Sequence, residues 1–210
     1  MSRDGAAGRF EAVAFDLLTA LIDSWSLFAR VTGSAEVGRA WRLGSLRRVT
    51  TQGDYRSYED ILLEAAAEAG VSRTKGDELL SRWGELRPWP EVPDVLQSLA
   101  GRRLAVVTNC SQRLAEIAAG VTGGRFEVVM SAERAGAYKI DPRAYRAALD
   151  ALRLPPDRVL FVAGSAHDVP GASSVGMKIY WSNRQRLPVP PSSPAPLADE
   201  PDLRRLAEFV

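Results

Sequence analysis

The sequence predicts an α/β fold in which a parallel sheet flanked by helices is interrupted by an inserted helical subdomain. Short runs of β-formers recur at Ala12–Phe15, Leu104–Val107, Phe126–Met130, Val159–Val162 and Lys178–Trp181, each followed by polar or helical sequence, which is the alternation of βαβ units. The longest gap between runs, from about Ser24 to Trp89, has helical spacing instead, with Ile61, Leu62, Ala65 and Ala69 on one face. Trp89-Pro90-Glu91-Val92-Pro93 ends that stretch, because two prolines so close together stop a helix and redirect the chain. The expected organisation is a core of residues 10–23 and 90–184, a helical cap of 24–89, and a proline-rich arm with a C-terminal segment over 185–210 that ends in a short helix.

Composition bounds the function. With 210 residues, 46% of them apolar and 25% charged, the chain can bury a full core. Lys and Arg number 27 against 26 for Asp and Glu, so no net field draws it to nucleic acid or an anionic membrane. One cysteine, Cys110, excludes an intramolecular disulfide, and neither a long apolar leader nor a membrane-length run is present; the expected location is the cytoplasm. Cys110 reads as a structural thiol, since the one histidine, His167, is not a local base for it. There is no internal repeat and no glycine-rich phosphate loop.

The first strand ends in Asp16, which stands where open α/β sheets bind ligands, at a carboxyl edge. Asp16 serves there either as a nucleophile or as the cap of the following helix. The second strand ends in Thr108-Asn109-Cys110-Ser111, whose side chains and following backbone N–H groups suit an anion or cap a helix. Lys139 precedes a helix begun by Pro142, and Val159–Val162 leads into Ala163-Gly164-Ser165-Ala166-His167-Asp168.

Taken in order, these segments resemble the four motifs of the haloacid dehalogenase (HAD) superfamily, and the resemblance runs from Phe10 to Arg184 with a cap in the family's place. It implies a Rossmann-like HAD core. The family's phosphatases have a second Asp two positions after the first, to protonate the leaving alkoxide; here that position is Leu18, whose side chain cannot do so. They also carry an acid at the place of Gly164, and only Asp168 remains of the fourth-motif pair. The resemblance therefore implies no metal and no cofactor. Thr108-Asn109 and Trp41-Arg42 resemble pairs of the (S)-2-haloacid dehalogenases, while Leu18, Ile140 and the Ala163–Ser165 triplet depart from that branch.

What the resemblance implies is a metal-independent hydrolase acting on a small 2-substituted carboxylate. Asp16 attacks a saturated carbon to form an aspartyl ester, which water then hydrolyses. Lys139 keeps Asp16 ionised, and Asp168 handles the water together with Ser165. Thr108 and Asn109 bind substrate carboxylate or oxyanion, Arg42 meets the leaving group, and Leu18, Tyr145 and His167 complete the substrate-contacting set, with packing the other reading of Tyr145. Related dehalogenases pair, so a homodimer is expected. A Mg-dependent phosphatase or phosphonatase-like hydrolase and a non-catalytic HAD-fold binding protein remain the alternatives at this level.

Overall fold

The computed structural model describes residues 10–191 and 193–210; Ser192, inside the expected proline-rich arm, and residues 1–9 lie outside the described residues. Six strands form one sheet: β1 (Ala12–Phe15), β4 (Arg103–Thr108), β5 (Val128–Ser131), β6 (Val159–Ala163), β7 (Lys178–Ser182) and β8 (Ala198–Glu200), in the order β5-β4-β1-β6-β7-β8 with every pair parallel. A sheet of this kind is covered on both faces, which is why β1 and β6 are buried at every residue and read as unbroken apolar runs.

Alternation along the strands divides the core in two. Val13, Phe15, Leu104, Val106, Leu160 and Val162 face one apolar cluster that takes in α5 (Val92–Ser98) and α6 (Gln112–Val121) and continues into the helical insert. Ala12, Ala14, Ala105, Val107, Phe161 and Ala163 face another, closed by α8 (Pro142–Leu152) and α9 (Asp168–Ser174). Because β4 and β6 lie on opposite sides of β1, the chain diverges there and opens a crevice at the carboxyl ends of those strands.

The insert begins beside that crevice. After Asp16 the chain makes one wide turn over Leu17–Leu21, closed by the Ile22 N–H donating to the Leu17 carbonyl five residues back. A short antiparallel ladder, β2 (Ile22–Asp23) with β3 (Arg87–Pro88), then marks where the chain leaves and returns. Between them run α1 (Ser24–Thr32), α2 (Ala35–Gln52), α3 (Tyr58–Glu68) and α4 (Arg73–Ser81), each started by a side-chain cap: Asp23, Ser34, Ser57 and Ser72. Helices α1 and α2 approach closely because Gly38 has no side chain; a Cβ there would lie 2.6 Å from the Ala29 nitrogen. Trp41 anchors the group, packed edge-on against Phe28 at 4.9 Å between ring centroids and donating its indole N–H to the Leu62 carbonyl at 2.8 Å.

Two features differ from the sequence reading. The third strand starts at Val128, because Phe126 turns its ring edge-on to Phe15 at 6.4 Å and leaves the ladder. The 185–210 segment is not a detached arm: β8 extends the sheet, and Leu203, Leu206 and Val210 enter the core cluster. Its proline-rich part does lack regular structure, as proline's missing N–H requires. Asp54, in the insert, also bridges to Ala137, so the insert contacts the loop that carries Lys139. Among the described residues no helix is long and apolar enough to cross a membrane.

Candidate active site

Four chain segments converge at the crevice. Asp16 follows β1, Thr108 ends β4, Lys139 lies between α7 (Ala132–Ala135) and α8, and Asp168 opens α9 after β6. Lys139 Nζ lies 2.8 Å from Asp16 Oδ1 and 3.0 Å from Asp168 Oδ1, and all three side chains are buried. One ammonium is thus shared by two carboxylates, an arrangement that is stable only when the remaining hydrogen-bonding capacity is also met.

Asp16 meets it unevenly. Its Oδ2 accepts from the backbone N–H of Thr19 at 2.9 Å, the N–H of Ala20 at 3.0 Å and the Thr19 hydroxyl at 2.5 Å, whereas Oδ1 faces Lys139. The cap reading of Asp16 therefore holds, and the carboxylate that caps the turn is also the one paired with Lys139. Burial alone would raise its pKa; the Lys139 charge and hydrogen bond, with Thr19 and Ala20, outweigh that and hold it below the usual carboxylate value. Lys139 is pushed down by burial, yet its two carboxylate neighbours raise it above an ordinary lysine.

Asp168 is placed differently. Its Oδ1 accepts from Lys139 and from the Tyr145 hydroxyl at 2.9 Å, while its buried Oδ2 has no hydrogen-bond partner among the described residues. Burial raises its pKa, Lys139 lowers it and Asp16 raises it again, leaving Asp168 above an ordinary aspartate. One ammonium therefore sustains two carboxylates of opposite tendency, one kept ionised and one more basic.

The cap supplies Arg42 from α2. It is 3% exposed and stacked between Trp25 and Phe28, each centroid 5.7 Å from its guanidinium carbon. Its Nε donates to the Ser24 hydroxyl at 3.1 Å, which in turn donates to the Leu18 carbonyl at 2.8 Å; Nη1 reaches the Ser45 hydroxyl at 3.4 Å. No carboxylate pairs with Arg42 among the described residues, so a buried cation faces this site without a counter-ion.

The Asp16, Lys139 and Asp168 side chains line a small cavity of about 30 Å³ together with Leu18, Thr19, Arg42, Thr108, Asn109, Ser165 and His167. Of the residues the sequence singled out, two occupy positions other than those expected. Asn109 touches the cavity, but both its side-chain atoms hold the Lys139 backbone: Nδ2 donates to the Lys139 carbonyl at 3.0 Å and Oδ1 accepts its N–H at 2.7 Å. Tyr145 lies behind Asp168, outside the cavity, because its hydroxyl is drawn to Asp168. Gly171 permits this, since a Cβ there would come within 2.6 Å of the Tyr145 oxygen. Thr108 is buried beside Cys110, whose thiol burial pushes up to about 12.

Thr19 was missed in the sequence. Its only signal is a hydroxyl three residues after Asp16. Gly164, read as a lost polar group, is explained by it: a Cβ at residue 164 would lie 2.2 Å from the Ala20 nitrogen and 2.5 Å from Thr19 Oγ1. The first motif's hydroxyl thus fills the space that a fourth-motif side chain would need.

A family model described as haloacid dehalogenase-like hydrolase matches residues 9–176. Haloacetate dehalogenase H-2 of Moraxella sp. (strain B) is 29% identical over 194 residues, covering 84% of this chain and 87% of that protein. (S)-2-haloacid dehalogenase 4A of Burkholderia cepacia is 31% identical over 195 residues, covering 84% of both chains. A crystal structure of an L-2-haloacid dehalogenase aligns with a TM-score of 0.84 at 27% identity, covering 96% of this chain and 98% of that one.

Proposed function

The chain belongs to the haloacid dehalogenase-like hydrolase family, and we propose that it displaces the leaving group of a small 2-substituted carboxylate through an ester on Asp16. The observation that carries this reading is that a buried, ionised Asp16 and a buried Arg42 with no counter-ion among the described residues line the same cavity. The first is a nucleophile and the second a place for an anion.

In the first step Asp16 Oδ1 attacks C2 of the substrate, the carbon–halogen bond breaks, and halide leaves with the electron pair toward Arg42. Oδ1 is the attacking atom because Oδ2 is held by three donors. Those donors then serve the second step. They surround the ester carbonyl oxygen as a preformed oxyanion hole, a device worth roughly 10²–10³ in rate per donor. Water attacks the Asp16 carbonyl carbon and gives its proton to Asp168, whose free Oδ2 can accept it. The bond from that carbon to the substrate oxygen breaks, the alkoxide takes the proton back, and a 2-hydroxy acid with inverted C2 leaves.

Lys139 stabilises Asp16 before attack, and its ammonium occupies the position between the two carboxylates that a metal ion would need. Leu18 and Gly164 stand at the family's other acidic positions, and the packing around Gly164 admits no side chain. The donor set therefore does not fit Mg²⁺, which takes several oxygen ligands. In this reading Thr108, Ser165, His167 and Leu18 shape the substrate pocket. Asn109 and Tyr145 position Lys139 and Asp168. We assign the reaction to the cytoplasm because a single cysteine forms no disulfide, and a homodimer because related dehalogenases pair.

Halide release from (S)- and (R)-2-haloacids in the presence of EDTA tests this. The expected result is stereoselective release that chelator leaves unchanged and that Asp16→Asn abolishes. An EDTA-reversible loss, or full activity in Asp16→Asn, would overturn the reading.

A further inference from the structure

Beside the reaction cavity lies a much larger chamber of about 700 Å³. Thr19, Leu46, Ser165 and His167 belong to the walls of both. The small cavity, about 30 Å³, is near the volume of one water in the liquid, whereas the large one falls within the 300–1,000 Å³ usual for small-molecule sites. Helix α2 borders both: Arg42, Leu46 and Val49 turn to the reaction cavity, Arg39, Leu43 and Leu46 to the chamber. From the core side the chamber receives Trp89, Trp181 and Leu187. Trp25 spans the two, lining the chamber while its ring carries the Arg42 guanidinium.

We propose that this chamber is the subsite for the substituent on C2, and that the preferred substrates are 2-halo acids with a large apolar tail, aromatic or long alkyl. The inference rests on the dehalogenase reading for the reaction itself. The reaction cavity, with the volume of about one water, holds no more than the atoms that meet Asp16, so the rest of the substrate must extend past the shared wall. Beyond it stand three indoles and two leucines, of which Leu43 and Leu187 are 39% and 43% exposed, and covering such surface is favourable. The chamber's Arg184 and Arg204 are already paired with Glu91 and Asp202, so its cations on the core side do not demand a charged tail.

Three measurements test the assignment. The kcat/KM for halide release is compared for 2-chloropropionate and 2-chloro-4-phenylbutanoate; a preference of about tenfold or more for the larger acid is expected from the added apolar contact, and equal or lower values would overturn the proposal. Binding of the matching 2-hydroxy acids, followed by tryptophan fluorescence and calorimetry, needs no turnover. The phenyl-bearing acid should bind about tenfold tighter than lactate, and equal affinities would overturn the proposal. Should no 2-haloacid release halide while that binding difference persists, the dehalogenase reading fails and the chamber assignment stands. In Leu43→Arg, at a half-exposed position whose replacement leaves the core intact, the large-to-small kcat/KM ratio should fall about fivefold or more; an unchanged ratio would contradict the chamber's role.

Discussion

The two sides of the crevice solve the problem of buried charge in opposite ways. On the core side every charge has a protein partner: Asp16 and Asp168 share Lys139, and Asn109, Thr19 and Tyr145 meet most of the remaining valences. On the cap side Arg42 is as deeply buried, yet among the described residues it is held only by two hydroxyls and two rings. A charge with its partner built in is a reagent held ready, whereas a charge without one is completed by what binds. In the proposed reaction the core makes the nucleophile and the cap receives what the nucleophile expels, a division that mutation can separate.

The largest effect falls on the core. Asp16→Asn should lower halide release by about 10⁴-fold or more in a stopped assay while leaving the far-ultraviolet spectrum unchanged, because the nucleophile itself is removed. Asp168→Asn should give one turnover and stop, since displacement does not need the base and hydrolysis does. Intact-protein mass should then show the substrate added to the chain without its halogen.

Lys139 and Arg42 draw the contrast most sharply. Lys139→Met leaves two buried carboxylates without a cation, so urea unfolding should show a loss of about 3–5 kcal/mol along with the loss of activity. Arg42→Met removes a buried cation and strands no carboxylate among the described residues; activity should fall about 10²-fold with stability equal to or above that of the parent. Equal destabilisation by both would break the comparison.

How much of this was legible depended on whether a feature lay in one stretch of chain. The sheet was readable because parallel strands buried on both faces are continuous apolar runs, and Asp16, Lys139 and Asp168 were findable because each ends such a run or follows a turn. β8 was not readable: Ala198–Glu200 is polar and short, and it is a strand only because β7 offers it an edge. The pairing of Thr19 with Gly164 was hidden for the same reason, being a contact between residues 145 positions apart of which only Gly164 stood out, as a departure from the motif. Tyr145 and Asn109 were found as residues but given contacts with substrate, because sequence shows which groups are near a strand end and not which of them are already bonded to one another.

A smaller effect concerns pH. In the proposed reaction Asp168 must be ionised to accept the water's proton, and its ionisation sets the acidic limb of the hydrolysis rate. In the free enzyme burial and the Asp16 charge hold its pKa above the ordinary aspartate value of 3.8, and the neutral ester on Asp16 removes the second of these. Lys139 is raised, so the alkaline limb lies above 10.5, and Asp16, lowered below 3.8, sets neither limb. The Tyr145 hydrogen bond lowers the Asp168 pKa, so Tyr145→Phe should move the acidic limb to higher pH with less than about a tenfold change in plateau rate. A plateau loss without a shifted limb would mean that Tyr145 does not act through Asp168.

The most direct test of the account is a single turnover in heavy-oxygen water with enzyme in excess over an (S)-2-haloacid, followed by mass analysis of the peptide containing Asp16 and of the product. Hydrolysis of an ester at the Asp16 carbonyl predicts that the heavy oxygen enters the Asp16 carboxylate and that the 2-hydroxy acid carries ordinary oxygen. Heavy oxygen in the hydroxy acid, with Asp16 unlabelled, would mean that water attacks the substrate itself and would contradict the covalent role assigned to Asp16.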